Sequence, residues 1–224
     1  IYAESAEGKF KKVAFELASY AIKVAESLGT TVTALTINAG DVSELSKYGV
    51  DKVLKVSNDQ LAGFTAKAYA DVIKQAADKE SAKLVLLSST TDSIYLASLA
   101  AVALNAGYAS NVVGLPLSTS PFQVKRTAFS NKAFNITEMD TEVKVLGLAK
   151  NSYGIFENAT STTEEDFNPT LDANDFGVKV ESVEKVSGKV SIADAEVVVS
   201  AGRGLKGPEN WGMIEQRVLS QFPT

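Results

Sequence analysis

Between residues 9 and 28, apolar side chains recur every three or four positions, at Val13, Leu17, Tyr20, Ala21, Val24 and Leu28. That is the period of a helix with one buried face. Gly29 follows where a left-handed cap commonly ends a helix. Before it, Ile1, Tyr2 and Ala3 read as the end of a strand, with a turn over residues 5–8, and the β-branched run at 31–37 reads as the next strand. The pattern then repeats. Residues 41–48 suggest a short helix capped by Gly49, 50–56 a strand, and 65–79 a helix with Ala68, Tyr69, Val72, Ile73 and Ala76 on one face. Residues 83–88 form an unbroken apolar run, the mark of a strand buried on both faces in a parallel sheet. An alanine-rich helix over 94–104 and a fifth strand over 110–115 follow. Four strand–helix repeats predict a mainly parallel sheet with right-handed crossovers and helices on both faces, a three-layer α/β/α fold.

The period changes after residue 120. Residues 122–129, 132–138 and 142–149 read as three consecutive strands, with Asn131 and Met139, Asp140 and Thr141 at the turns. This predicts an antiparallel meander at a sheet edge. Residues 151–174 carry few large apolar side chains and several acids, so they read as a surface connection or linker. A β-like segment over 176–186 precedes another apolar run at 196–200. A shift in composition places a domain boundary near residue 190: residues 1–189 form an α/β scaffold domain, and 190–224 the first strand, loop and helix of a second domain.

Composition narrows the chemistry. The 224 residues are 45% hydrophobic and 22% charged with a net charge of −5, an ordinary soluble balance. Mild acidity argues against a nucleic-acid surface, which needs clustered Lys and Arg. No apolar run approaches the ~20 residues of a membrane span, and no signal peptide is visible. The chain has no cysteine, which removes disulfides and thiolate chemistry and fits a cytoplasmic protein. It also has no histidine, which excludes a Ser-His-Asp triad, an imidazole proton shuttle and a His-ligated zinc. Catalysis would fall to carboxylates, Lys, Arg, Tyr or a bound cofactor, so the chain is not expected to be an enzyme by itself.

Two loops are candidates for holding an anion. Gly202, Gly204 and Gly207 follow the apolar run at 196–200 and precede a helix-like segment from Pro208, with Arg203 between the first two glycines. Strand, glycine loop and helix is the layout in which backbone N–H groups meet phosphate. The ribose-binding acid of a dinucleotide fold belongs about 20 residues further on, where only Gln221, Phe222, Pro223 and Thr224 stand. A plain strand-to-helix turn explains the loop as well. The second candidate is the loop 88–93, where Ser88, Ser89, Thr90, Thr91 and Ser93 bring five hydroxyls to the carboxyl end of a central strand. It has neither glycine nor lysine, and capping of the next helix accounts for it equally. Other features have plain readings. Lys9, Lys11 and Lys12 open the first helix against its dipole, a cost that a partner's acidic surface can offset. Those lysines, with Lys125 and Arg126, are expected to be solvated. Phe122, Phe129 and Phe134 are expected in the core, and Glu164, Glu165 and Asp166 as solvated charge rather than a metal site.

The stretch VVVSAGRGLKGPENW resembles the VVSGGRGLxxxEN segment that opens the flavin domain of electron transfer flavoprotein alpha subunits. IYAES, GVDKVLKV, KLVLLSSTTDS and KRTAFSNKAFNITEMDTEVKVLGLA resemble further family segments in the same order, with Asn131, Lys132 and Ala133 where Gly-Asn-Ala is usual. The resemblance implies an N-terminal domain of the adenine nucleotide alpha hydrolase-like fold that pairs with a beta subunit, which carries the AMP site. It implies FAD in the domain that begins near residue 190, with Arg203 contacting FAD and Gly202 and Gly204 letting it approach the backbone. It also implies electron transfer from flavoprotein dehydrogenases, such as acyl-CoA dehydrogenases, to a quinone reductase, or bifurcation with NADH in some anaerobic members. The family's S-R-x-x-V-D, Q-T-G and G-I-S-G-A-x-Q-H segments are missing, and the chain reads as a truncated alpha subunit whose FAD site is incomplete. A nucleotide-binding regulatory domain of the universal-stress type, using the loop 88–93 for phosphate, is the alternative.

Overall fold

The computed structural model describes residues 1–178, 180–182, 192, 195 and 198–221. They divide into two units, Ile1–Val180 and Glu181–Thr224. The boundary expected between residues 189 and 190 lies outside the described residues.

In the first unit, Glu7 (φ 53°) and Gly8 (φ 78°) both take the left-handed conformation. Two such residues close a tight hairpin, here between β1 (Ser5–Ala6) and β2 (Lys9–Phe10). Helix α1 (Lys12–Leu28) therefore starts three residues later than its apolar period suggests, and Lys9 belongs to the hairpin rather than to the helix. Gly29 ends α1 at φ 64°, its N–H reaching the carbonyls of Ala25 and Glu26. Then come β3 (Thr33–Ile37), a 3₁₀ turn at Ser43–Lys47 in place of the expected short helix, and β4 (Lys52–Val56). Helix α2 (Ala66–Lys79) and β5 (Leu84–Ser88) match their sequence patterns closely. Helix α3 (Thr91–Ala103) starts three residues before the expected helix, because Thr90 caps it.

After β6 (Gly107–Val112), β7 (Ser118–Thr119) and β8 (Phe122–Ala128) come β9 (Ala133–Glu138) and β10 (Lys144–Leu148). Strands β7, β8 and β9 form the antiparallel edge. The third strand of the expected meander is placed differently. β10 runs parallel to both β5 and β6 and is inserted between them. Its run Val145, Leu146, Gly147, Leu148 is apolar on both faces, and only a central position buries both.

The sheet is continuous through Ile1–Ala3. Tyr2 donates its N–H to the Leu86 carbonyl on β5 (3.0 Å), and Ala3 donates to the Leu35 carbonyl on β3 (3.0 Å). The expected first strand thus joins β4–β3 on one side to β5–β10–β6 on the other. Side-chain alternation sorts the core into two layers. Leu86 and Leu146 pack with Leu17, Tyr20 and Val24 of α1. Val85, Leu87 and Val145 pack with Ile73 of α2 and Leu96 and Ala100 of α3. This is the expected three-layer α/β/α arrangement.

Residues 151–174 are no loose linker. They include β11 (Thr163–Asp166), an edge strand parallel to β4. Its acids are ion-paired: Glu164 and Asp166 with Lys55, and Glu165 with Lys52 and Lys79. The two lysines hold the Glu165 carboxyl down at about 2. Further on, Phe167, Leu171 and Phe176 pack on the α2 side of the core. The residues 173–176 form a 3₁₀ turn with a capping box at Asp172, not the start of a strand; most of the expected segment 176–186 lies outside the described residues. Phe122 is core, but Phe129 and Phe134 are 78% and 63% exposed. β9 pairs with β8 alone, and among the described residues nothing covers it. Lys125 lies over the Phe134 ring at 4.0 Å rather than standing in solvent, and the Arg126 Nε is buried without a hydrogen-bond partner.

In the second unit, Arg203–Leu205 and Pro208–Asn210 form 3₁₀ turns, and α4 (Gly212–Gln221) follows. Glu196 and Val197 of the expected strand lie outside the described residues. Val198, Val199 and Ser200 are not in a strand, and both valines are exposed, because no neighbouring strand among the described residues pairs with them.

Candidate functional site

The carboxyl ends of parallel strands are where open α/β sheets hold ligands, and the loop 88–93 lies there. Because Ile1–Ala3 runs beside β5, the residue that follows it, Glu4, arrives at this loop. Glu4 is 5% exposed. Its Oε2 accepts hydrogen bonds from the Thr90 hydroxyl (2.9 Å) and the Ser93 hydroxyl (3.4 Å). Its Oε1 pairs with the Lys11 ammonium at 2.5 Å. Thr90 in turn accepts from the Ser93 N–H (3.2 Å), the side-chain cap of α3. Ser88 donates to the Val13 carbonyl (3.2 Å), and Ser89 Oγ is buried without a partner.

The loop thus does hold an anion, and the anion is the chain's own carboxylate. A phosphate arriving about 4 Å from Glu4 would meet a repulsion of about 4 kcal/mol at an effective dielectric of about 20. Lys11 keeps 40% of its side chain exposed, as expected, but it does not stand at an uncompensated helix start. Its ammonium turns back to Glu4, so the acid offsetting the helix dipole comes from within. Glu4 had no distinguishing signal in the sequence beyond an acid directly after an apolar strand, a position that is buried whenever the strand is central.

A second buried acid escaped the sequence reading. Glu16 on α1 is 5% exposed and accepts three backbone N–H groups, from Asn151 (2.9 Å), Tyr153 (2.9 Å) and Gly154 (3.0 Å). It ties the segment after β10 onto α1. Both acids complete the fold rather than serve a ligand.

The glycine loop differs in kind. The Leu205 N–H donates to the Gly202 carbonyl (3.0 Å) and the Lys206 N–H to the Arg203 carbonyl (3.0 Å), making one 3₁₀ turn. Lys206 leaves it at φ 67°, and the Asn210 amide fastens the turn to the next by donating to the Leu205 carbonyl (2.9 Å). A shallow pocket is lined by Gly202, Arg203, Leu205, Lys206, Pro208 and Trp211. Arg203 is exposed, and among the described residues it forms no ion pair. A Cβ added at Gly202 or Gly204 would meet nothing within 4 Å, and neither residue has a positive φ. Among the described residues, packing does not call for glycine at either position. At Gly207 a Cβ would meet only the Glu209 carboxylate, the free end of an exposed side chain that can turn aside.

Among the described residues there is no group of Asp and Glu side chains arranged to hold a metal ion, and no helix is long and apolar enough to cross a membrane. The model of the electron transfer flavoprotein domain matches residues 1–171. The electron transfer flavoprotein subunit alpha of Syntrophomonas wolfei is 28% identical over 226 residues, covering 96% of this chain and 68% of the relative. Protein FixB of Clostridium saccharobutylicum is 26% identical, with 96% and 66% covered. The LctC subunit of the lactate dehydrogenase (NAD(+),ferredoxin) of Acetobacterium woodii is 26% identical, with 96% and 53% covered. The chain spans about two thirds of the first two relatives and about half of the third. Coverage of 96% leaves fewer residues unmatched than lie between Gly202 and Thr224, so the glycine loop falls within these likenesses although the family model stops before it. The chain belongs to the electron transfer flavoprotein family.

Proposed function

We propose that the chain works as the alpha subunit of an electron transfer flavoprotein. Its first unit is a scaffold that pairs with a beta subunit, and Gly202, Arg203 and Gly204 form the first contact of an FAD site whose domain begins near residue 190. The observation that carries this reading is the openness of the loop 202–204. A guanidinium stands exposed beside two glycines that no neighbour among the described residues requires, which is the arrangement expected where an outside group approaches the backbone. Arginine suits the pyrophosphate or the electron-rich edge of a flavin, because its planar fork donates to two acceptors at once. Bound FAD would supply the one- and two-electron chemistry. The protein's part is to bind, orient and shield it.

The donor is then a flavoprotein dehydrogenase such as an acyl-CoA dehydrogenase, in the cytoplasm, and the chain itself is a carrier rather than a catalyst. The names of the relatives allow for a different donor: one is a subunit of a lactate dehydrogenase that names NAD(+) and ferredoxin. The regulatory nucleotide-binding alternative has less support, because Glu4 occupies the loop on which it depends. On this reading residues 202–204 would supply one wall of a flavin site. Residues 1–224 expressed alone are therefore expected to purify without flavin absorbance, while the full-length alpha subunit with its beta subunit retains FAD. Tight, stoichiometric FAD on residues 1–224 alone would overturn this division of labour.

A further inference from the structure

Two strands of the first unit have a neighbour on one side only, and their open edges are guarded differently. β11 carries Glu164, Glu165 and Asp166, ion-paired to Lys52 and Lys55 of β4 and Lys79 of α2. Charged side chains of this kind keep an edge from pairing with another chain. β9 instead carries Phe134 and Ile136, 63% and 60% exposed, and among the described residues it pairs with β8 alone. The ladder fixes which of its peptide groups are free. Met139 donates its N–H to the Phe122 carbonyl (2.9 Å), whereas the Gln123 and Lys125 carbonyls accept from Leu117 (2.8 Å) and Val113 (3.0 Å), on the other side of β8. Gln123 stands opposite Glu138, Lys125 opposite Ile136 and Thr127 opposite Phe134. Because the bonds of an antiparallel pair alternate, Phe134, Ile136 and Glu138 turn their N–H and C=O groups outward.

We propose that β9 is a self-association edge, on which a second copy of this chain pairs β9 to β9, antiparallel, about a two-fold axis at Asn135. The sequence selects this occupant. Lys132-Ala133-Phe134-Asn135-Ile136-Thr137-Glu138 complements itself when reversed about Asn135. Phe134 of each copy meets Ile136 of the other, Ala133 meets Thr137, and Lys132 meets Glu138. The outward peptide groups of Phe134 and Ile136 then fall opposite each other, as a hydrogen-bonded pair requires. A two-fold contact must be self-complementary in this way. Sliding one strand by two residues sets Glu138 against Phe134 or Lys132 against Ile136, so charge and apolar pairing together fix the register. Both charges are available. Glu138 accepts from the Gln123 amide (2.7 Å) and Lys132 lies 5.7 Å from the Phe129 ring, and both side chains belong to exposed residues.

The test purifies the full-length chain with its beta subunit and counts copies of the chain per particle by size exclusion with light scattering. Wild type is expected to reach two copies as concentration rises. Glu138→Lys turns two attractive pairs into repulsive ones and is expected to weaken this association by about 10-fold, and adding Lys132→Glu is expected to restore it. The chain has no cysteine, so an introduced one reads the register. Asn135→Cys places two thiols across the axis with Cα atoms about 4.5 Å apart, within disulfide reach. Ala133→Cys on the same face places them about 13 Å apart, out of reach. Oxidation is expected to link two chains through Asn135→Cys and not through Ala133→Cys. One copy per particle at every concentration, equal linking by the two variants, or failure of the charge exchange to restore association would overturn the proposal. Loss of the beta subunit from the Glu138→Lys complex would make that subunit the occupant and overturn it as well.

Discussion

At the loop 88–93 the hydroxyls of Thr90 and Ser93 turn inward to Glu4, whereas at the loop 202–204 the guanidinium of Arg203 and two glycines face open space. Both loops carry groups that favour an anion, and both follow apolar runs. What separates them is a residue 86 positions before Thr90 in the chain, brought to the first loop by the strand pairing of Ile1–Ala3. A hydroxyl-rich loop at the carboxyl end of a sheet is a ligand site only if the neighbouring strand leaves it vacant. Here the neighbouring strand fills it, and the loop becomes a joint between β5, α3 and the hairpin β1–β2.

Removing the internal anion should therefore damage the fold far more than removing the external cation. Glu4→Ala leaves the Thr90 and Ser93 hydroxyls and the Lys11 ammonium without their common acceptor. Urea unfolding is expected to show a loss of about 2–3 kcal/mol. Arg203→Ala, at an exposed position, is expected to stay within about 0.5 kcal/mol of wild type in the same measurement. Equal losses in the two variants would erase the distinction.

A second internal use of carboxylate sharpens the point at smaller scale. Glu165 on β11 is held down at about 2 by Lys52 and Lys79. A depressed carboxyl stabilises the fold fully above its unfolded value of about 4.3 and loses that contribution as pH falls through about 2. Glu165→Gln should flatten the acid limb of a pH–stability curve between those limits and leave stability above pH 6 only slightly reduced, since exposed pairs contribute little. An unchanged acid limb would show that the edge strand does not depend on this carboxylate.

Much of the first unit was legible in the sequence because its local signals agree with its packing. α1, α2 and β5 follow from apolar period and from Gly29. The misplaced strands share one cause, which is that strand neighbours are set by the tertiary fold and not by chain order. β10 reads as the third strand of a meander because it follows β9 closely, although its two apolar faces already point to a central position. Glu164, Glu165 and Asp166 look like loose acids until Lys52, Lys55 and Lys79 stand beside them. Phe134 alternates as a core residue does, but among the described residues β9 has a neighbour on one side only and no layer over it. Glu16 carries no signal and Glu4 only its place after an apolar strand, because an acid becomes an internal ligand only when distant donors arrive. At the second loop the glycine spacing was legible, and the strand expected before it was not found at Val198 to Ser200.

The most direct measurement is the FAD affinity of the full-length alpha subunit paired with its beta subunit, compared between Arg203→Ala and Thr90→Val. Loss of a charge-assisted contact at Arg203 is expected to weaken FAD by about 10-fold or more, while Thr90→Val leaves it within about twofold, because that hydroxyl serves Glu4. FAD binding that survives Arg203→Ala unchanged but falls with Thr90→Val would contradict the account.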